Sequence, residues 1–177
     1  ILNYNENQEP IRIMMHRILD EISQQQGVFR GLQVTIGLGK SDVEPFIIAD
    51  RFKAAKWAVA QRLILGTNKM IEGENRSTND FVETNIFSNF NKELSEAIDL
   101  QDIGRIKTAI EHLEHDLMIR NETTGYEILQ MTKEAMNLFL ITIRNSQFPM
   151  DSLKGLFEIF NKEVNHYGSA HEVFHYL

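Results

Sequence analysis

The sequence predicts an α+β fold, with a small α/β subdomain over residues 1–73 followed by an all-helical subdomain over residues 80–177. Two observations predict this order. Strand-like alternation of apolar residues is confined to residues 1–72, whereas every later apolar pattern has helical spacing. The stretch GENRSTND at residues 73–80 is polar and rich in turn formers, which makes it the predicted boundary between the two subdomains.

The first subdomain is predicted to contain about three strands and two helices in the order β-α-β-α-β. The predicted strands cover residues 1–5, 32–40 and 69–72. The first helix begins near Pro10, which suits a first helical turn because that turn needs no amide partner, and it ends at Gly27. The second helix runs from about Pro45 to Leu65, and Gly66 caps it.

The middle strand carries glycine at alternate positions, Gly37 and Gly39, so one of its faces lacks side chains. Another part of the chain can therefore approach that face closely. The following helix is rich in alanine, at positions 49, 54, 55, 58 and 60. We therefore predict that this helix packs closely on the sheet.

Four amphipathic helices are predicted in the second subdomain, over residues 86–100, 103–120, 125–145 and 151–167. Asp102 is placed to cap the second of these helices, and Pro149 precedes the fourth. Residues 174–177 form a short tail that can add a further helical turn. No strand pattern occurs after residue 80.

Composition and charge exclude several function classes. The chain has no cysteine, which removes disulfides, thiolate nucleophiles and cysteine zinc sites. It also has no apolar run of membrane-spanning length and no signal-peptide pattern, so we expect a soluble, cytoplasmic protein without a membrane partner. The net charge of −7 disfavours DNA or RNA binding by this chain itself.

Two groups of histidines are candidate metal ligands. His112 and His115 lie three residues apart among acidic residues, but no matching ligand pair occurs elsewhere, so a solvated helix face is favoured. His166, His171 and His175 cluster near the end of the chain. Glu172 stands after His171 in the position that a zinc protease requires. However, only one turn of helix is predicted there, and we favour a linker surface.

A second candidate site is the turn GLGKS at residues 37–41, which follows a strand and precedes a helix. It lacks the upstream glycine of a phosphate-binding loop, because Val34 occupies that position, so a plain connection is favoured over nucleotide binding. No nucleophile elbow supports a Ser-His-Asp triad. The aromatic and methionine residues are predicted to be core: Phe46, Phe52, Trp57, Met131, Met136, Phe139 and the run 138–143.

Several stretches carry a family resemblance. Residues 34–39, 49–55 and 62–71 resemble the second half of a GGDEF-like domain, the fold of diguanylate cyclases. Residues 1–4 (ILNY), 65–66 (LG), 94–102 (LSEAIDLQD) and 168–177 (GSAHEVFHYL) extend the resemblance to the linker region of AraC-type two-component response regulators. That linker consists of a degenerate GGDEF-like region and a helical segment, so the resemblance covers essentially the whole chain.

The resemblance implies a non-catalytic signal-relay and dimerisation segment of a bacterial transcriptional regulator, not an enzyme. No GGDEF signature is present, so the metal and triphosphate ligands of a cyclase have no counterpart here, and no catalytic, cofactor-binding or metal-binding residue is assigned. The implied partner is a second copy. DNA and a sensor kinase would bind the parent protein through a DNA-binding domain and a receiver domain outside this chain. The start at Ile1 agrees with a segment of a longer protein. A nucleotide sensor is the alternative to the signal-relay function, and an active enzyme is the third function considered.

Overall fold

The computed structural model describes residues 9–25, 27–28, 31–39, 48–73, 84–145, 153 and 155–177. The chain divides into two compact units, residues 1–76 and 77–177. The division falls within the polar stretch at residues 73–80. The described elements are mostly helices with one small parallel sheet, an α+β composition.

The first unit contains a parallel pair of strands and the helices around it. Its elements are α1 (Glu9–Gln24), β1 (Ile36–Gly39), α2 (Ile48–Ala60), α3 (Arg62–Leu65) and β2 (Met70–Gly73). The strands pair in register from Ile36 with Met70 to Gly39 with Gly73. The strand predicted over residues 1–5 lies outside the described residues, so two of the three predicted strands are described.

Helix α2 packs against the sheet at backbone contact distance, as the glycines and alanines predict. A Cβ atom added to Gly37, Gly39 or Gly73 would lie closer than 3.0 Å to a carbonyl oxygen of α2. Ala54 and Ala58 are buried on the facing side of the helix. The prediction of close packing on the glycine face is therefore confirmed.

Two predicted elements of the first unit are shorter than expected. The middle strand, expected from residue 32, begins only at Ile36, because the Val34 amide donates to the side chain of Asn68 (3.0 Å) and not to a backbone carbonyl. Asn68 has a positive φ of 59°, which starts the turn into β2. The long helix is interrupted at Gln61 and resumes as α3, which Gly66 terminates as predicted.

The second unit consists of helices in its described part. These are α4 (Thr84–Asp99), α5 (Ile103–Ile119), α6 (Gly125–Asn145), α7 (Leu156–Glu163), a 3₁₀ helix (Val164–His166) and α8 (Ala170–Tyr176). Helix α4 packs along α5, and α6 contacts α4, α7 and α8. Asp102 caps α5 by accepting a hydrogen bond from the Arg105 amide (3.2 Å), as predicted.

In its described part, the helix predicted over residues 151–167 consists of two shorter pieces, α7 and the 3₁₀ helix. Helix α7 begins after Gly155, whose φ of 82° is left-handed, and the chain tightens into the 3₁₀ helix after Glu163. The tail predicted at residues 174–177 belongs to a helix that starts at Ala170. Ser169 and Glu172 form a capping box at its start, a signal that the sequence analysis did not use.

The buried residues confirm part of the predicted core and correct the rest. Met131 and Met136 are buried, whereas Trp57 and Phe139 are only half-buried. Phe52 was predicted to be core but is 60% exposed, with the Lys56 ammonium group 4.7 Å from its ring centroid. The run 138–143 is half-buried, apart from exposed Ile141, because it lies beyond the tightly packed part of α6. Phe46 lies outside the described residues.

Candidate functional site

The glycine turn does not form an open cradle in its described part. Gly37 and Gly39 belong to β1, and their side-chain positions face the carbonyl oxygens of Ala55 and Arg51 on α2. The backbone of α2 therefore takes up the space that a ligand would need on that face. Residues 40 and 41 of the predicted turn lie outside the described residues.

The histidines of α5 lie on its solvent-facing side. The His112 Nδ1 atom lies 3.0 Å from the Glu93 carboxylate of α4, and both side chains are substantially exposed. His115 is exposed and has no such partner among the described contacts. Within the described ranges, no group of three or more potential metal-ligating side chains comes together. The contact between His112 and Glu93 links α5 to α4 and does not form a metal site.

The histidines near the end of the chain are held in a similar way. The His171 Nδ1 atom lies 3.1 Å from the Glu114 carboxylate of α5, and the rings of His171 and His175 are 6.3 Å apart. Glu172 accepts hydrogen bonds from the amides of Gly168 (2.8 Å) and Ser169 (3.1 Å). Its carboxylate is therefore committed to the helix cap. His166 is exposed in the 3₁₀ helix and lies apart from this pair.

Helix α8 is docked firmly although it is only seven residues long. Val173 and Phe174 are fully buried, and the helix contacts both α5 and α6. Tyr176 stacks on Phe160 of α7 with ring centroids 5.7 Å apart. Apolar burial and an N-terminal cap together fix the direction in which α8 points.

Each unit also exposes large apolar side chains. In the first unit these are Ile13, Met14, Ile18, Val28, Leu32, Phe52, Ile64 and Leu65. In the second unit they are Leu100, Ile103, Met118, Ile119, Ile141, Phe157, Ile159 and Tyr176. Contiguous exposed apolar surface is a feature of protein–protein contacts. Where such side chains adjoin one another, they are the candidate interaction sites.

Sequence reasoning missed the long-range polar contacts that join the helices. Glu93 and Glu114 are separated from their histidine partners by 19 and 57 residues, and no local pattern marks such pairs. It also missed Arg62 on α3, which is only 7% exposed. Burial lowers the pKa of this guanidinium below its ordinary value.

No helix in the described part of the chain has the length and apolar character needed to cross a bilayer. Comparison with known protein families, curated proteins and solved structures found no match.

Proposed function

We propose that this chain is a non-catalytic signal-relay and dimerisation segment of a bacterial two-component transcriptional regulator of the AraC type. In this proposal the parent protein works in the cytoplasm as a homodimer. It binds DNA through a domain outside this chain. A cognate sensor kinase phosphorylates its receiver domain, which also lies outside this chain.

The order of the two units supports the proposal. A β1-α2-β2 unit with a glycine-faced sheet comes first and a helical unit follows, which is the order that the family resemblance implies. Each unit has its own buried residues, such as Ala58 in the first and Leu117 in the second. Two compact units in series suit a segment that connects other domains.

The observation that carries the proposal is the docking of α8. In the family that the chain resembles, the stretch that corresponds to residues 168–177 leads toward the DNA-binding domain. Because α8 is fixed against α5 and α6 by buried Val173 and Phe174, a change in the packing of those helices changes the direction of α8. Such a helix transmits a signal through a change in its orientation, and no chemical reaction is required.

The alternative function, a nucleotide sensor, has less support. Its natural location is the glycine-rich strand, where the α2 backbone lies against Gly37 and Gly39. A ligand could enter that face only by displacing α2. The glycines are thus accounted for by helix packing.

A reporter fusion tests the relay. A DNA-binding module that binds its operator only as a dimer is joined directly after Leu177, and repression is measured in cells. We expect repression by the wild type and its loss in Val173→Asp, which places a charge at a fully buried position. His175→Asp adds the same charge to the exposed side of α8 and is expected to repress normally.

The molecular mass of each fusion protein shows whether it is a dimer, and this separates the dimerisation role from the relay role. We expect the Val173→Asp fusion to remain a dimer, because its defect lies in the relay. A folded wild-type fusion that is monomeric and does not repress contradicts the dimerisation role. Equal repression by both variants contradicts the relay role.

A further inference from the structure

Two exposed histidines, His171 and His175, lie one helical turn apart on α8. Side chains four residues apart are neighbours on a helix, but not in an irregular segment. The structure meets this condition, since α8 runs from Ala170 to Tyr176 and contains both histidines. Their rings are nearly parallel (28°), with centroids 6.3 Å apart. Two histidines with this spacing on one face of a helix can bind the same metal ion.

The helix that carries these histidines is fixed at its start and along its buried side. Ser169 and Glu172 form the capping box that holds the first turn. Val173 and Phe174, which lie between the two histidines in sequence, are buried. The backbone of both histidines is therefore in place before an ion arrives. Groups that are already positioned lose less conformational freedom when they bind a ligand.

Glu114 of α5 orients the ring of His171. Its carboxylate lies 3.1 Å from the His171 Nδ1 atom. An ionised carboxylate only accepts hydrogen bonds, so Nδ1 carries the proton in this contact. In the neutral ring the lone pair is then on Nε2, the nitrogen that remains for a metal ion. A carboxylate on the second ring nitrogen is the usual arrangement of a metal-binding histidine.

Both rings are open to solvent and can turn toward one ion. The His171 side chain is 81% exposed, and His175 is exposed as well. Two nitrogens that bind one zinc ion at about 2.0–2.1 Å in tetrahedral geometry lie about 3.4 Å apart. Rotation of the two exposed side chains about their own bonds brings their nitrogens to this separation, and the α8 backbone can stay in place.

We infer that His171 and His175 form a binding site for a divalent transition metal ion that prefers imidazole ligands, the class of Zn²⁺, Ni²⁺ and Cu²⁺. His171 binds through Nε2, His175 supplies a second ring nitrogen, and Glu114 is a positioning residue. Water fills the remaining coordination positions. Structural zinc sites have four protein ligands, so a site with two holds an exchangeable ion. This inference does not rest on the proposed relay function.

The histidines of α5 provide a contrast within the same unit. The His112 Nδ1 atom also contacts a carboxylate, that of Glu93 (3.0 Å). In the described part of the chain, however, no second histidine ring stacks beside His112 as His175 does beside His171. His112 thus has the orienting carboxylate without the second ligand. This makes it the matched control for the pair on α8.

Isothermal titration calorimetry of the 177-residue chain with zinc chloride tests the site. We expect the wild type to bind one Zn²⁺ ion per chain. His171→Gln and His175→Gln each remove one ligand and are expected to abolish this binding. Glu114→Gln is expected to weaken it by about 10- to 100-fold, the usual effect of losing an outer-shell partner. His112→Gln is expected to leave it unchanged.

Nitrogen-15 NMR of the histidine rings identifies the atoms that bind. We expect Zn²⁺ to shift Nε2 of His171, whose Nδ1 keeps its proton, and a ring nitrogen of His175, whereas Mg²⁺, which prefers oxygen ligands, shifts neither. Far-UV circular dichroism checks that each variant is folded. Zn²⁺ binding that survives both α8 variants is an adventitious ion only and overturns the site, as does a wild type that binds no Zn²⁺. Unchanged affinity in Glu114→Gln overturns the positioning role of Glu114.

Discussion

Gly37 on β1 lies directly beneath Ala55 on α2, and a Cβ atom added to Gly37 would fall closer than 3.0 Å to the Ala55 carbonyl oxygen. Backbone cannot move aside as the end of a flexible side chain can. The smallest substitution at this position must therefore push α2 away from the sheet.

Gly37→Ala is expected to lower the free energy of unfolding of the first unit by about 1–3 kcal/mol, the usual cost of overpacking. Trp57 is the only tryptophan and lies on α2, so its fluorescence in urea reports on this unit. Gly27→Ala is the control, since nothing lies within 4 Å of an added Cβ there. Equal stability of the two variants would show that the contact is not tight.

Phe174→Ala is expected to destabilise the second unit by about 3–5 kcal/mol, because the ring is buried and its removal leaves a cavity. Amide hydrogen exchange should show loss of protection in α8. Phe157→Ala makes the same change at a position that is 36% exposed and should cost much less. Retained protection of α8 in the Phe174 variant would contradict the assigned docking.

The polar contact between Glu114 and His171 is expected to contribute little to this docking. A double-mutant cycle with Glu114→Gln and His171→Gln should give a coupling energy below about 1 kcal/mol, since the His171 side chain is 81% exposed. Urea unfolding of the four proteins measures it. A coupling as large as the loss in Phe174→Ala would mean that the pair, and not apolar burial, holds α8.

Neither GTP with magnesium nor cyclic di-GMP is expected to stabilise the chain, because α2 covers the glycine face of β1. A ligand present at about 100 times its dissociation constant adds about 2.7 kcal/mol to stability. That raises the melting temperature of a unit of this size by about 4–8 °C. Differential scanning fluorimetry measures the shift, and an increase of that size would favour the nucleotide-sensor alternative.

Much of the fold could be predicted because its signals are local. Helix α6 spans Gly125–Asn145, the same range that the apolar spacing predicts, and the Asp102 cap was evident from its position before an apolar run. The close approach at Gly37 followed from the absence of side chains on one strand face. Each of these signals depends on residues within a few positions of one another.

Other features could not be predicted because they depend on distant contacts. Phe52 has the character of a core residue but is exposed, and its ring lies against the Lys56 ammonium group instead of in the core. The helix expected up to Leu65 breaks at Gln61, and the middle strand begins only after Val34, whose amide donates to the Asn68 side chain. The capping box at Ser169 was a local signal that could have located the start of α8.

The sequence by itself determined the α+β class, the order of the two units and the glycine face of the sheet, because periodicity, turn residues and missing side chains act over short distances. Only the tertiary structure decided which helix each histidine contacts and which apolar side chains stay exposed. Those properties arise when residues far apart in the chain compete for the same space, and no local pattern records the outcome.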